Sequence, residues 1–272
     1  MNIFQQNIKL FNWLKQKGYK YFFVPDFAFI REKERFSNNI IFSIWLAPSD
    51  DVVGRVSCSP SFCLLPLLSS CRGVFWNLKQ LLSLDLSRNN IINIHSMAFQ
   101  NGVPVLSQLD LANNLLGKIP FMAISSMKSL KTLDLSNNRI ENIEDSFTKI
   151  KLKLDKLILN ENAIKVITKN SFQNFKWINS TSLQNNPIHT VQDHGFLDTG
   201  IRELDFHNCR IGNLNPGAFR GLERSLESLD LSSNRLSFLP HNLFDDFDTI
   251  RKLSLSNNIL AISPNISFSS FR

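Results

Sequence analysis

Glycine is scarce in this chain, ten residues in 272, and none of the ten fall into G-x-G-x-x-G or G-x-x-x-x-G-K. Without such loops no cradle of backbone N–H groups awaits a phosphate, so nucleotide chemistry has no support. The G-x-S-x-G elbow of serine hydrolases is missing too, although serine is abundant. No apolar run approaches the ~18 residues that a membrane-spanning helix needs. Histidine is limited to five residues, and His95, His189, His194 and His241 fall in different parts of the chain. The best metal-like cluster is Asp205-Phe206-His207-Asn208-Cys209. It sets Asp205 and His207 on one strand face, but a metal needs three or four converging ligands and Cys209 belongs to an inward turn. No catalytic residue, cofactor, metal site or small-molecule substrate is therefore expected, and the chain reads as a non-enzyme.

A concentrated positive charge is also missing. The formal charge is +7, but residues 1–72 hold nine Lys/Arg against five Asp/Glu, and residues 73–272 hold twenty-one against eighteen. The nearest basic cluster is Lys149, Lys151, Lys153 and Lys156. No aromatic platform is interleaved with it in sequence, so it reads as a solvated face and no nucleic-acid partner is expected. The segment Ile40–Ala47 is apolar, follows Arg31-Glu32-Lys33-Glu34-Arg35 and precedes Pro48-Ser49. That order fits either an internal secretory signal behind a misplaced start or an ordinary buried segment.

What the chain does have is a period. The pattern L-x-x-L-x-L-x-x-N-x-L opens at Leu81, Leu106, Leu130, Leu154, Ile178, Ile201, Leu226 and Ile250, with steps of 23 to 25 residues. Its fourth and sixth positions are Leu84/Leu86, Leu109/Leu111, Leu133/Leu135, Leu157/Leu159, Thr181/Leu183, Leu204/Phe206, Leu229/Leu231 and Leu253/Leu255. Alternation along a short strand turns these residues inward and their neighbours outward. One coil cannot bury its own apolar edge, so a core forms only by stacking coil on coil. Strands are expected near 83–87, 108–112, 132–136, 156–160, 180–184, 203–207, 228–232 and 252–256. Thr181 is the one polar residue among the sixteen inward positions.

At the end of each strand stands an amide: Asn89, Asn114, Asn138, Asn162, Asn186, Asn234 and Asn258, with Cys209 in the sixth repeat. The chain turns inward there, and an amide offers both donors and an acceptor to backbone groups that would otherwise be buried unpaired. Phe99, Phe172, Phe196, Phe219, Phe244 and Phe268 recur at equivalent places, with Ile124 in the second repeat and Phe147 one residue early. A Phe column at repeat spacing is packing on the outer side of each coil. Ser263 breaks the column of Ile94, Ile143, Ile167, Leu214 and Leu239.

Motifs such as Leu133-Asp134-Leu135-Ser136-Asn137-Asn138 and Leu229-Asp230-Leu231-Ser232-Ser233-Asn234 resemble the 24-residue class of leucine-rich repeats. The stretch Gly217-Ala218-Phe219-Arg220-Gly221-Leu222-Glu223, running into Leu226-Glu227-Ser228-Leu229-Asp230-Leu231, resembles the chaoptin-like adhesion group. That resemblance implies an α/β-type solenoid, a horseshoe with a parallel sheet on the concave face and short irregular or 3-10 segments on the convex face. It also implies an extracellular or cell-surface glycoprotein that binds a protein ligand or a homophilic adhesion partner. Membrane attachment would then lie in parts outside this chain. An intracellular scaffold or regulatory subunit is the alternative. Extracellular members usually carry cysteine-bonded caps; Cys58, Cys63 and Cys71 stand where one belongs, but three cysteines cannot all pair. The expected organisation is an unassigned segment 1–57, an incomplete cap 58–77, and eight repeats over 78–272 with no C-terminal cap. An array ending inside its eighth repeat would be a fragment of a longer protein. Residues 1–57 carry no repeat and are expected to pack poorly on the array.

Partner contacts are expected on the concave face, at the third, fifth, seventh and eighth positions of each repeat. The candidates are Asp85, Arg88, Asp110, Asp134, Lys156, Ile158, Asn160, Glu203, Asp205, His207, Asp230 and Lys252. Asp holds the fifth position in five of eight repeats, an acidic row that suits a basic partner, and Ile158 interrupts it. The sequons Asn179-Ser180-Thr181 and Asn265-Ile266-Ser267 make Asn179 and Asn265 candidate glycosylation sites.

Overall fold

The structure, a computed structural model, describes residues 78–100, 102–145 and 149–261, with Phe75 and the backbone of four strands before residue 58. Those four are β1 (Tyr21–Val24), β2 (Phe27–Arg31), β3 (Ile41–Ile44) and β4 (Val53–Ser57). The array follows as β5 (Ser83–Asp85), β6 (Gln108–Asp110), β7 (Thr132–Asp134), β8 (Leu152–Ile158), β9 (Val166–Ile167) and β10 (Phe175–Ser182). It continues as β11 (Thr190–Val191), β12 (Glu203–Asp205), β13 (Asn213–Leu214), β14 (Ser228–Asp230) and β15 (Lys252–Ser254).

One long sheet takes β5, β6, β7, β8, β10, β12, β14 and β15 in that order, every pair parallel. Its register aligns Leu84, Leu109, Leu133, Leu157, Thr181, Leu204, Leu229 and Leu253 in one column. All are buried except Leu253, which is half-buried at the end of the stack. Each buried Leu contributes about 1.5–3 kcal/mol, so the column is a principal source of cohesion between coils.

Most strands are three residues long, shorter than the spacing predicts, and the backbone turns left-handed three residues after each of them ends. Arg88, Asn113, Asn137, Glu161, Asn185, Asn208, Ser233 and Asn257 all have φ between 50° and 58°. Asn tolerates that conformation better than most residues and fills five of these eight places. β8 and β10 extend in the other direction, back to Leu152 and Phe175, with a bulge between Phe175 and Trp177.

The turn after each strand is held by the amide ladder. Asn138 is representative: Nδ2 donates to Leu135 O and to Leu111 O of the preceding coil, both at 3.0 Å, while Oδ1 accepts Leu116 N–H at 2.9 Å. Asn114, Asn162, Asn186, Asn234 and Asn258 repeat this, accepting from Ile91, Ile140, Ile164, Ile211 and Leu236. Cys209 keeps only the donor half, Sγ to Leu183 O at 3.4 Å. Burial pushes its thiol up to about 12, opposed by a backbone hydrogen bond with Asn186 and reinforced by the negative charge of Asp205. The thiol is therefore an inert filler of the slot.

The outer side is made of turns, one four-residue helix α1 (Phe121–Ile124) after Pro120, and a small parallel sheet of β9, β11 and β13. No 3-10 segment occurs among the described residues; turns take the expected place. The Phe column is present, with ring centroids 5.1 Å apart for Phe172–Phe196 and 6.2 Å for both Phe196–Phe219 and Phe219–Phe244. Where Ile124 replaces Phe, Phe121 of α1 reaches Phe175 at 5.5 Å.

The sheet does not end at the first repeat. β4 pairs in parallel with β5, Gly54 opposite Leu84, and β1, β2 and β3 continue it antiparallel into a twelve-stranded sheet. Such pairing needs backbone groups and no repeat motif; the side-chain packing expected to be poor across residues 1–57 lies outside the described residues. Cys58, Cys63, Cys71, Phe147, Ser263, Asn265 and Phe268 lie outside the described residues.

Candidate functional site

The outward positions form continuous rows across the sheet. The fifth position reads Asp85, Asp110, Asp134, Ile158, Ser182, Asp205, Asp230 and Ser254, each the register partner of the next. The third position runs beside it as Ser83, Gln108, Thr132, Lys156, Ser180, Glu203, Ser228 and Lys252.

The aspartates have a structural task that the row alone does not reveal. Oδ1 of Asp85, Asp110, Asp134, Asp205 and Asp230 accepts the backbone N–H two residues on at 2.8–3.0 Å. In three coils the same oxygen also accepts a serine hydroxyl, Ser87, Ser136 or Ser232, at 2.5–2.6 Å. Each carboxylate thus caps the end of its own strand before the left-handed turn. A lysine or arginine at these positions would remove the cap as well as the charge.

The fifth coil makes a depression in this face. Ser180 and Ser182 are short, whereas Lys156 and Ile158 on one side and Glu203 and Asp205 on the other are long. The result is a dip of about 450 Å³ lined by Lys156, Ile158, Asn160, Ser182, Asp205 and Asp230 among others. Gln184 Nε2 donates to Asp205 Oδ2 across it, and Asn160 Oδ1 accepts Gln184 N–H at 3.0 Å. The Ser182 hydroxyl oxygen is buried at the floor without a hydrogen-bond partner. A rim of three carboxylates against the one lysine Lys156, an apolar wall and an orphan hydroxyl suit a basic side chain with an aliphatic stem.

Six of the twelve expected contact residues meet here: Lys156, Ile158, Asn160, Glu203, Asp205 and Asp230. Asp134 is the register partner of Ile158 in the adjoining coil, Asp110 and Asp85 lie progressively further along the same face, and Lys252 lies at the opposite end. Arg88 sits in the left-handed turn beyond its strand. His207 stands beside the dip with Nδ1 2.8 Å from Ser232 Oγ. Sequence reasoning missed Ser180, Ser182, Gln184 and Ser228. The signal was available as small residues in one coil flanked by long ones in both neighbours.

Two further features surround the fifth coil. Thr181 takes the place of leucine in the buried column, and its hydroxyl has no hydrogen-bond partner. Trp177, 37% exposed, is the register partner of Lys153. An aromatic residue therefore does neighbour the lysines, one coil away. Among the described residues no group of three or more His, Cys, Asp or Glu could hold a metal, and no helix is long and apolar enough to cross a membrane.

Comparison with known proteins agrees with this architecture. The family description "Leucine rich repeat" matches residues 199–260, and "Leucine Rich repeats (2 copies)" matches residues 104–148. Chaoptin of Drosophila melanogaster is 41% identical over 128 residues, which is 47% of this chain and 10% of chaoptin. Leucine-rich repeats and immunoglobulin-like domains protein 1 of Homo sapiens is 32% identical over 186 residues, 68% of this chain and 15% of that protein. A solved complex of TLR13 with ssRNA13 superposes with a TM-score of 0.55 at 26% identity, covering 74% of this chain and 30% of that one. The chain thus spans a small part of the length of the curated relatives it matches.

Proposed function

This chain belongs to the leucine-rich-repeat family, and from that premise we propose that it is the recognition part of an extracellular or cell-surface adhesion protein. Its partner is a protein that docks on the concave face and places a basic side chain in the dip between β8, β10 and β12. The observation that carries this reading is the dip itself, where Glu203, Asp205 and Asp230 face a cavity with Ile158 on its wall and the unpartnered Ser182 hydroxyl at its floor. Charge complementarity of this kind fixes partner and register more than raw affinity. Similarity to chaoptin over 47% of the chain supports the adhesion reading, and so do N-glycosylation sequons at Asn179 and Asn265. Residues 58–77 would then be the remnant of a cap and 78–272 the binding array, while 1–57 stays without an assigned role.

The test replaces Glu203→Gln, Asp205→Asn and Asp230→Asn together. Amide oxygens keep the strand caps, so the fold should persist while the charge goes. Cells displaying the wild-type chain on an added anchor should aggregate, with themselves or with partner-bearing cells, and the triple variant should not. Aggregation unchanged by the triple variant would move the site off this face.

A further inference from the structure

The fifth coil holds an apparent defect with an exposed aromatic residue beside it. Thr181 is 1% exposed in a column otherwise made of leucine, and its hydroxyl has no partner. Valine has the same shape without the hydroxyl, so packing does not account for threonine here. Thr181 is, however, the hydroxyl residue of the sequon Asn179-Ser180-Thr181. Two residues before Asn179 stands Trp177, and Ile178 between them is fully buried. Trp177 and Asn179 thus flank the buried Ile178 on β10, and both reach the surface in part. The ring is held in place from below: a Cβ on Gly200 would lie 3.0 Å from Trp177 Cδ1 and 3.3 Å from Nε1, and Gly200 has φ +62°. Only glycine lets the ring settle this closely on the next coil at that backbone conformation. Little more than a third of Trp177 remains exposed, and Asn179 beside it is half-buried.

We propose that Asn179 carries an N-linked oligosaccharide whose first sugar packs on the exposed part of the Trp177 ring. The proposal rests on the extracellular reading above, because it requires passage through a compartment that supplies a lipid-pyrophosphate-linked oligosaccharide. In the transfer, the bond between the anomeric carbon of the first sugar and the phosphate oxygen breaks. A bond from that carbon to Asn179 Nδ2 forms, the nitrogen loses one proton, and the lipid pyrophosphate leaves. No oxidation or reduction is involved. The Thr181 hydroxyl serves recognition while the chain is extended, and folding then seals it in the core. An amphipathic indole presents an apolar face to the C–H side of a pyranose ring while the sugar hydroxyls stay in water. Asn179 occupies the second position of its repeat, on the flank of the sheet, so the sugar chain runs beside the dip rather than over it.

The chain is expressed in animal cells and its peptides are analysed by mass spectrometry for glycan at Asn179 and Asn265. Thermal unfolding is then compared for wild type trimmed to one sugar, for Asn179→Gln, and for both in Trp177→Leu and Trp177→Phe backgrounds. Asn179 should be occupied. The single sugar should raise Tm by about 3 °C over Asn179→Gln, Trp177→Leu should abolish that difference, and Trp177→Phe should keep at least half of it. Glycan at Asn265 with none at Asn179 would overturn the proposal while leaving the extracellular reading intact. Glycan at neither site would overturn both. An occupied Asn179 whose Tm difference survives Trp177→Leu would overturn the stacking.

Discussion

Thr181→Val should make the protein more stable. The perturbation exchanges one hydroxyl for a methyl group of similar volume at a site between Leu157 and Leu204 in the buried column. Thr181 Oγ1 has no hydrogen bond to lose, so the change removes only the desolvation of an orphan hydroxyl, about 1–3 kcal/mol. Val also restores apolar contact on a surface that is 1% exposed. For a domain of this size 1 kcal/mol corresponds to ~2–4 °C, so a gain of about 1–2 kcal/mol should raise Tm by roughly 2–8 °C. The comparison is made in an Asn179→Gln background, because Thr181→Val also destroys the sequon. Urea unfolding followed by circular dichroism reads the same quantity as a shift of midpoint at constant slope. Thr181→Ser is the control: it keeps the orphan hydroxyl, loses a methyl group and should destabilise by about 1 kcal/mol. A loss of stability in Thr181→Val would show that the hydroxyl has a partner and that the reasoning about its cost is wrong.

Two further outcomes follow from the amide ladder. Asn162→Ala should destabilise by about 3 kcal/mol or more, because it leaves Ile140 N–H and the carbonyls of Leu135 and Leu159 without their amide partner. Cys209→Asn should do the reverse, by about 1 kcal/mol, since it supplies the acceptor that every neighbouring coil has; chemical denaturation of the pair checks both signs. The Cys209 thiol, raised from 9.0 to about 12 chiefly by burial, should resist alkylation at pH 8.5 in the native protein and react after unfolding, as site-resolved mass spectrometry would report. Because its folded value lies above the unfolded one, its contribution to stability is full below pH 9 and falls as pH rises toward 12. The difference between wild type and Cys209→Ala across that window isolates it, and a flat difference would contradict the assigned burial.

Direction was legible in the sequence. The spacing of Leu84 and Leu86, repeated through Leu229 and Leu231, determined which residues point inward, because strand alternation is a local property of the backbone. The same reasoning placed Asn114, Asn138 and Asn162 at buried turns and Phe172, Phe196 and Phe219 in an outer column, as found. The candidate contact face was legible for the same reason, although its strands proved shorter, each ending three residues before a left-handed turn.

Partnership across coils was decided only by the tertiary structure. Trp177 and Lys153 are 24 residues apart in sequence yet register partners, so reading along the chain could not bring this ring to the lysines. The aspartates read as a free acidic row, but whether an oxygen points to solvent or back to the N–H of Ser87 or Ser136 depends on side-chain geometry that a pattern does not carry. The dip needs the heights of three adjacent coils at once. The unpartnered Thr181 hydroxyl needs the absence of an acceptor in every neighbour that packs on it. A repeat determines what each coil presents to the next, because that follows from one residue and its two neighbours in the chain; what the coils do to one another depends on register and contact, which exist only once they are stacked.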